Sequence, residues 1–354
     1  MSPPHILLLT PGFPKDENDD SCIPALQSYV RLQGANREME LTIVTLHYPF
    51  VDTRYHWFES VVYPMNGMNE GGIGRLKLWY RTIRKIREIH RAKPLHGIHS
   101  FWYGECTLLG EYVKRVLDVP HLNTAMGQEF YRPSWIQYLI KWWRSPSTVA
   151  LSRRQITSMH EFGIEPISQV PWGLDLARIP SPKNHVSRDI DILWVGSLIE
   201  IKQPSQCLEA ISRLGILHPG IHAVMIGGGE LLTALRMEIE RLDLARHIEL
   251  KGDLSRGEVL DFMNRSKILL HTSRFESFGM VYLEALYYGM RIVSYPTGIA
   301  RESSGWIIAN HFEELVNGCT QMLALSQDEK ESELLFDLSE TCSRYAAFYQ
   351  PQKV

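Results

Sequence analysis

The sequence predicts an α/β protein with two domains, each built on a parallel sheet. The chain has 354 residues, which is enough for two separate hydrophobic cores. Short apolar runs alternate with segments of helical length from His5 onward, and this alternation is typical of parallel sheets. Residues 268–298 show the repeating unit most clearly, with a strand over Ile268–His271, a helix over Gly279–Tyr288 and a strand over Arg291–Tyr295.

Each predicted domain begins with a buried strand that a turn connects to a helix. The first strand is His5–Thr10, and its helix runs over about Pro24–Gln33. The second domain opens with Ile190–Val195, followed by a glycine turn and a helix over Pro204–Leu214. The two prolines and few apolar residues of Ala177–Val186 indicate a linker. We therefore predict a first domain over residues 1–178, a second over 179–336 and a C-terminal helix within 337–354.

Composition and charge exclude several classes of protein. The net charge of −3 argues against a nucleic-acid partner. No apolar stretch reaches 18 residues, and the N-terminal run Ile6–Leu9 is too short for a signal peptide. The five cysteines include no C-x-x-C pair, so we expect reduced thiols, no zinc site and a cytoplasmic location. These cysteines are Cys22, Cys106, Cys207, Cys319 and Cys342.

The chemistry of residues 268–298 centres on two glutamates. Glu284 is the only charged residue between Gly279 and Met290, and a carboxylate in a buried helix is costly unless it has a partner. Glu276 lies eight residues earlier, in the turn at the helix N-terminus. The free N–H groups and the positive end of the helix dipole suit a phosphate there, while the glutamates can accept hydrogen bonds from hydroxyls. The N–H groups concerned are those of Gly279, Met280 and Val281. A nucleotide sugar carries both kinds of group.

The run from Glu276 to Glu284 resembles the Glu-x7-Glu signature of retaining, nucleotide-sugar-dependent glycosyltransferases of family 4. The spacing alone is weak, but the wider string Ser-Arg-Phe-Glu-Ser-Phe-Gly, followed by Leu-Glu-Ala and Gly-Met-Arg-Ile-Val-Ser, is more specific. The resemblance covers nearly the whole chain and is strong between about Ile190 and Gly298. It implies the GT-B fold, in which two Rossmann-like domains face each other across a cleft and the last helix crosses back to the first domain. The alternative is a helix that merely tolerates one glutamate.

The resemblance assigns further donor-side residues in the second domain. Lys202 follows a glycine turn, where it can reach a diphosphate as a point charge; the alternative is a solvated loop lysine. The family pattern is Gly-Arg-Leu followed by Lys, and Ser197 stands after Gly196 in place of the arginine. One lost charge-assisted bond weakens stabilisation of the diphosphate by about 2 kcal/mol. The loop at Gly227 would line the nucleotide cleft, and the strand end at Gly252 would contact the base.

The first domain departs from the family pattern at two loops. The loop after the first strand contains Gly12 but continues as Lys15–Asp20 where family members carry a glycine pair. That acidic stretch is either a solvated loop or a loop that selects the acceptor. The family's His-Gly-x-Asp corresponds to Met126, Gly127, Gln128 and Glu129. Methionine can neither exchange a proton at neutral pH nor donate a strong hydrogen bond.

The resemblance implies a specific reaction. Glu276 would hold hydroxyls of the donor sugar, Glu284 would hold the ribose, and Lys202 with the N–H groups near Gly279 would neutralise the diphosphate. The donor would be a UDP- or GDP-sugar and the acceptor a glycan or a lipid-linked sugar. The reaction would need no cofactor and no metal. Asp189-Ile-Asp191 resembles the metal-binding Asp-x-Asp of the other glycosyltransferase architecture, but it leads into a strand, so we predict no metal role.

Two alternative functions use the same residues. A glycoside hydrolase could use Glu276 and Glu284 as its carboxylate pair. Eight residues of helix would separate them by about 12 Å, which exceeds the roughly 5–9.5 Å that such pairs need. The other alternative is a non-catalytic, glycosyltransferase-like subunit or a carbohydrate-binding protein. Met126 and Ser197, as departures from the family pattern, keep that alternative open.

Two basic and aromatic segments of the first domain predict contact with a membrane. Residues 74–93 carry eight Lys or Arg against one Glu, and their apolar residues follow helical spacing. Residues 135–144 contain three tryptophans. We predict a peripheral contact with an anionic membrane through residues 75–93 and 135–144. The alternative is a pair of ordinary surface helices with their apolar faces inward.

Overall fold

The structure is a computed structural model that describes residues 3–20, 22–143, 146–183, 187–325 and 332–350. Arg144, residues 184–186 of the predicted linker and residues 351–354 lie outside the described residues. The chain divides into two compact units, residues 1–173 with 338–354 and residues 174–337. The sequence predicts these boundaries at 178/179 and 336/337, whereas the two units divide at 173/174 and 337/338. Among the described residues, no helix has the length and apolar character needed to cross a membrane.

The first unit is built on an eight-stranded sheet with helices in its connections. Its strands are β1 (His5–Gly12), β2 (Glu40–Tyr48), β3 (Tyr55–Trp57), β4 (Ser60–Pro64), β5 (Gly97–Phe101), β6 (His121–Thr124), β7 (Ser147–Ala150) and β8 (Ser168–Gln169). Its first five helices are α1 (Pro24–Asn36), α2 (Gly72–Ala92), α3 (Glu105–Leu117), α4 (Trp135–Trp143) and α5 (Arg153–Phe162). The sheet order is β3-β4-β2-β1-β5-β6-β7-β8, and only the short β3 is antiparallel to its neighbour.

The second unit is built on a six-stranded, wholly parallel sheet. Its strands are β9 (Ile190–Val195), β10 (Ala223–Ile226), β11 (Ile248–Gly252), β12 (Ser266–His271), β13 (Arg291–Ser294) and β14 (Trp306–Ile308). Its helices are α6 (Pro204–Leu217), α7 (Leu232–Arg241), α8 (Arg256–Arg265), α9 (Met280–Tyr287) and α10 (Phe312–Ala324). A 3₁₀ turn over Glu200–Lys202 precedes α6.

The strand order of the second unit fixes where its loops meet. The order is β11-β10-β9-β12-β13-β14, so the chain proceeds outward from β9 to one side and then returns to β12 on the other. Parallel sheets bind ligands at the carboxyl ends of the strands where the order reverses. In this unit that point lies between β9 and β12, whose register pairs Ile192 with Ile268 and Leu193 with Leu269.

The last helix, α11 (Leu338–Ala347), belongs to the first unit. The hydroxyl of Tyr345 accepts a hydrogen bond from Thr124 Oγ1 at 3.0 Å, and Gln33 Nε2 donates to the carbonyl of Cys342 at 2.7 Å. Tyr345 is fully buried against the rings of Tyr29 and His99. These buried polar and aromatic contacts fix α11 against the sheet of the first unit.

Helix α2 differs from the simple amphipathic pattern that its spacing suggests. Ile86 is fully buried, but Leu76 and Tyr80, which share its helical spacing, are 60% and 69% exposed. The N-terminal half of α2 therefore carries apolar side chains on its outer face. Periodicity locates an apolar stripe without showing how far along the helix the core extends.

Candidate active site

The loops after β9 and β12 are tied together at the point where the strand order reverses. The backbone N–H of Arg274 donates to the carbonyl of Ile201 at 2.9 Å. The hydroxyl of Thr272 donates to the carbonyl of Lys202 at 2.8 Å and accepts from the indole of Trp194 at 2.9 Å. These bonds hold the 3₁₀ turn that carries Lys202 beside the loop that carries Glu276.

Lys202, Glu276 and His271 form a charged cluster at this point. The ammonium of Lys202 and Nε2 of His271 both contact Oε1 of Glu276, the histidine at 2.8 Å. Oε2 of Glu276 accepts no hydrogen bond from the described residues. Burial by itself raises the pKa of the Glu276 carboxyl, but Lys202 and His271 outweigh it and bring the pKa to about 2. Glu276 is therefore ionised at neutral pH and has one oxygen free for a ligand.

His271 is held rigidly behind Glu276. It is the last residue of β12, is 1% exposed and lies edge-on to the ring of Tyr282, with centroids 4.9 Å apart. The hydroxyl of Tyr282 is in turn hydrogen-bonded to Thr297 Oγ1 at 2.8 Å. A buried strand end and a helix residue thus fix the orientation of the histidine that contacts the carboxylate.

The backbone around Glu276 requires glycine at two places. Gly279 precedes α9 with φ 90°, and a Cβ there would lie 2.5 Å from Cδ2 of Tyr282. Gly298 has φ 57°, and its Cβ would lie 2.1 Å from the carbonyl oxygen of Phe278. The N–H of Gly298 donates to the carbonyl of Glu276 at 3.1 Å. The first N–H groups of α9, those of Met280 and Val281, follow directly from this turn and have no acceptor within the helix.

Glu284 lies on α9 and is paired with a residue from another helix. Nη2 of Arg256 donates to Oε1 of Glu284 at 2.9 Å, and the two side chains are 28% and 15% exposed. Burial raises the pKa of the Glu284 carboxyl, and the nearby Arg256 offsets this only in part. Arg256 is the first residue of α8, which Ser255 and Glu258 begin with a capping box. Glu276 and Glu284 therefore have separate cationic partners.

Three predicted glycines meet at the carboxyl ends of neighbouring strands. The N–H of Gly196 donates to the carbonyl of Ile226 at 3.1 Å, and the N–H of Gly227 donates to the carbonyl of Gly252 at 2.9 Å. Gly227 has φ 143° and lies so close to Gly196 that no side chain fits between them. Ser197, in the place of the family's arginine, is exposed beside this contact.

In the first unit, the carboxylate of Glu129 binds the predicted residues Met126 and Gly127. Glu129 is 8% exposed, and its carboxylate accepts three backbone hydrogen bonds, from Tyr103 at 3.0 Å, Met126 at 3.1 Å and Gly127 at 2.7 Å. Its oxygens therefore hold the loop after β6 in shape. Gly12 ends β1, and a Cβ there would lie 3.5 Å from Sγ of Cys22.

The acidic loop over residues 15–20 is also ordered by its own carboxylates. Asp16 Oδ1 accepts from the N–H of Asn18 at 2.8 Å, and Asp19 Oδ2 accepts from the hydroxyl of Tyr48 at 2.8 Å. Burial, with Asp19 nearby, raises the pKa of Tyr48 to about 12. The loop is therefore shaped by internal hydrogen bonds, although most of its side chains are exposed.

Residues 177–333 match the family model described as glycosyl transferases group 1. This segment contains Lys202, Glu276 and Glu284 together with their partners Arg256 and His271. The resemblance predicted from the motifs is confirmed over this glycosyltransferase segment.

Other known proteins are similar over longer stretches. Glycogen synthase of Mycobacterium tuberculosis is 27% identical over 192 residues, which are 50% of this chain and 46% of that protein. Alpha-monoglucosyldiacylglycerol synthase of Streptococcus pneumoniae is 22% identical over 251 residues, 61% of this chain and 55% of that protein. The chain thus spans about half the length of these curated relatives. The Anabaena protein HepE, solved in complex with UDP and glucose, is 16% identical with a TM-score of 0.71 and covers 97% of this chain and 98% of that one. The predicted GT-B fold is confirmed by this overlap.

Two residues of the site, His271 and Arg256, were not predicted from the sequence. His271 ends a strand five residues before Glu276, and nothing in its neighbourhood marks it. Arg256 could have been found from the sequence, because a cation in the first turn of a helix interacts unfavourably with the helix dipole and is unusual without a nearby anion. The anion that pairs with Arg256 is Glu284, the buried carboxylate whose partner the sequence did not reveal.

The position of Glu276 corrects one step of the comparison with glycoside hydrolases. The estimate of about 12 Å placed both glutamates on one helix, but α9 begins at Met280 and Glu276 lies in the loop before it. The two carboxyls instead have different partners. Glu276 is bound by Lys202 and His271, whereas Glu284 is bound by Arg256. In the glycosyltransferase segment the two glutamates form two separate contact points.

Each carboxylate of the Asp189-Ile-Asp191 triplet is also paired with a cation, Asp189 with Arg265 and Asp191 with Lys267. Within the described part of the chain, no group of three or more His, Cys, Asp or Glu side chains is placed to hold a metal ion.

Proposed function

We propose that the protein transfers a sugar from a nucleoside-diphosphate sugar to a glycan or glycolipid acceptor, with retention of the anomeric configuration. The observation that carries this proposal is the cluster of Lys202, Glu276 and His271. It lies where the strand order of the second unit reverses, which is where such sheets bind ligands. The match of residues 177–333 to a glycosyltransferase family supports it.

The cluster provides a distinct contact for each part of the donor. Lys202 places one positive charge beside the departing diphosphate, and the first N–H groups of α9 add the positive end of a helix. The free oxygen of Glu276 accepts from hydroxyls of the donor sugar. Glu284 accepts from the hydroxyls of the ribose. His271 keeps Glu276 oriented when Lys202 turns toward the phosphates, because it contacts the same oxygen independently.

The proposed reaction needs no nucleophile from the protein. The bond between the anomeric carbon and the diphosphate oxygen breaks, and its electron pair leaves with the diphosphate. The acceptor hydroxyl forms the new bond on the same face of the sugar, and its proton passes to a diphosphate oxygen. Lys202 stabilises the charge that develops on the leaving group, so the proposed mechanism uses neither a metal nor a cofactor.

The donor and acceptor classes are inferred from the relatives. HepE was solved with UDP and glucose, which favours a UDP-sugar donor over a GDP-sugar. Glycogen synthase is named for a glycan product and alpha-monoglucosyldiacylglycerol synthase for a glycolipid product. A cytoplasmic location, predicted from the scattered cysteines, belongs to the same proposal.

The test is a panel of UDP- and GDP-sugars, read first by thermal shift and then by transfer. A donor at about 100 times its Kd stabilises the folded state by about 2.7 kcal/mol, which raises Tm by about 5–10 °C for a unit of this size. We expect one UDP-sugar to give this shift, and the same sugar to be released or transferred in the presence of EDTA. No shift with any donor would contradict the proposal. A shift without release or transfer would favour the non-catalytic carbohydrate-binding alternative.

Replacing Glu284 by glutamine is expected to weaken UDP binding without destabilising the protein. The amide removes a charge-assisted acceptor for the ribose, so Kd rises about 10-fold or more. Burial raises the pKa of this carboxyl, because the folded state favours its neutral form. The charged form therefore opposes folding at pH 7. The stability that the neutral form gives the folded protein is lost as the pH rises through the folded-state pKa. Tm of Glu284→Gln is therefore expected to equal or exceed that of the wild type. Calorimetric titration with UDP and thermal unfolding measure the two effects.

The matched control for this substitution is Glu313→Gln. Glu313 is an exposed glutamate that pairs with Arg213, also outside the site. Its replacement should leave the Kd for UDP unchanged. Wild-type affinity in Glu284→Gln would refute the ribose contact.

A further inference from the structure

The outer face of α2 changes character along its length. Ile73, Leu76 and Tyr80 lie one helical turn apart and are 73%, 60% and 69% exposed. Further along the same face the chain carries Arg84, Arg87 and Arg91. The only acidic residue of α2 is Glu88, which Arg84 and Lys85 already contact at 3.0 and 2.6 Å. The first half of this face is thus apolar, and the second half is basic.

Helix α4 exposes a second row of large side chains. Trp135 and Tyr138 are each 56% exposed and Trp142 is 83% exposed, at the spacing of one helix face. The opposite face is buried, with Ile136 and Ile140 at 7% and 1% exposure in the core of the first unit. Among the described residues, folding therefore buries one face of α4 and leaves more than half of each of these three aromatic side chains exposed.

The two helices that carry these rows lie next to each other. The rings of Trp79 on α2 and Trp135 on α4 lie 6.5 Å apart, and the guanidinium of Arg75 lies 6.0 Å from the Trp135 ring. Single exposed apolar residues are common, but several large ones on adjoining helices indicate a contact site. We call this the α2/α4 surface, made of Ile73, Leu76, Tyr80, Trp135, Tyr138 and Trp142 with the basic end of α2.

We infer that the α2/α4 surface docks the protein onto an anionic lipid bilayer. Tryptophan and tyrosine are favoured at the boundary between lipid headgroups and acyl chains, because their rings are apolar and their N–H and O–H groups remain hydrated. The arginines at the end of α2 add the charge complementarity that selects anionic headgroups. This surface lies on the first unit, and the inference does not depend on the proposed sugar transfer.

The direct test is co-sedimentation with vesicles of phosphatidylcholine alone and of phosphatidylcholine with about 30 mol% phosphatidylglycerol. We expect binding to the anionic vesicles at least about 10-fold stronger than to the neutral ones, and loss of that difference as NaCl rises from about 0.05 to 0.5 M. Absence of binding to either vesicle would overturn the inference. Equal binding to the neutral and the anionic vesicles, independent of salt, would show that the arginines do not select anionic headgroups.

Three variants separate the contributions of the surface. Leu76→Ser with Trp142→Ser removes apolar contact, and Arg84→Glu with Arg91→Glu reverses charge; each pair should weaken binding at least about 10-fold. Ile216→Ser is the matched control, because Ile216 is 81% exposed on α6 of the second unit and should not affect binding. The side chains changed in these variants are all exposed, including that of Arg91. Tm of every variant should match the wild type, which excludes unfolding as the cause.

A second measurement locates the contact. Trp57, Trp172, Trp194 and Trp306 are fully buried, so brominated lipid should quench the tryptophans of α4 more strongly than these four. Trp142→Phe should remove a large part of that quenching. If the double variants bind vesicles as the wild type does, the surface is wrongly assigned. If the protein instead forms dimers that Trp142→Ser disrupts and no vesicle binding is seen, the surface is occupied by a second copy and the lipid inference fails.

Discussion

Replacing Glu276 by glutamine is expected to lower kcat for sugar transfer by about 10²–10³-fold. The substitution keeps the shape of the side chain but removes the charge that Lys202 and His271 contact. The pKa of about 2 shows that this charge is strongly stabilised by the site. Without it, Lys202 and His271 lose their common anchor, and the donor sugar loses a charged acceptor for its hydroxyls. Steady-state transfer with the donor identified by thermal shift measures the loss.

The contrast between transfer and nucleotide binding makes this prediction specific. UDP lacks the sugar, so the Kd of Glu276→Gln for UDP should remain within about threefold of the wild type, a difference under 1 kcal/mol. Glu313→Gln again serves as the control and should retain full activity, because Glu313 is exposed and pairs with Arg213. Transfer at the wild-type rate by Glu276→Gln would remove Glu276 from the mechanism. An equal loss of UDP affinity would assign it to the nucleotide instead of the sugar.

The largest structural effect is expected for Gly227→Ala. A Cβ at this position would lie 1.9 Å from the carbonyl oxygen of Gly196, and φ is 143°, where side chains other than glycine are strained. The clash is with backbone, so no rotamer change can relieve it. The loops after β9 and β10 must separate, which breaks the bond from the Gly227 N–H to Gly252. We expect a loss of at least about 3 kcal/mol and a Tm lower by about 6–12 °C.

Gly257→Ala is the matched control for this substitution. Gly257 lies in α8 of the same unit, and a Cβ there would meet nothing within 4 Å. Alanine in a helix is favoured over glycine by about 0.5–1 kcal/mol, so its Tm should rise slightly. Thermal unfolding of both variants gives the comparison directly. Equal Tm values would show that the close approach of Gly227 to Gly196 does not contribute to stability.

The sequence predicted the order of strands and helices well because each element has a local signal. The βαβ unit over residues 268–298 is an example: apolar runs gave both strands, and Gly279 and Gly289 bounded the helix. The same local signals singled out Glu276 and Glu284, since a charge in an apolar segment is conspicuous. They could not show which residues these glutamates contact.

The partners of the glutamates come from elsewhere in the chain. Lys202 lies 74 residues before Glu276, and Arg256 lies 28 residues before Glu284. Their meeting depends on β12 pairing with β9 and on α8 lying beside α9, and apolar runs do not encode which strand is the neighbour of which. For the same reason, helical spacing could not show that Leu76 and Tyr80 face outward.

By itself, the sequence determined that the chain is an α/β protein and that Glu276, Glu284, Lys202 and the glycines are the residues to examine. Only the tertiary structure decided that Lys202 and His271 share one oxygen of Glu276, that Arg256 partners Glu284 and that α2 and α4 lie next to each other. The physical reason is that burial and charge spacing are local properties of a chain. The pairing of strands and helices is a property of the whole packed unit.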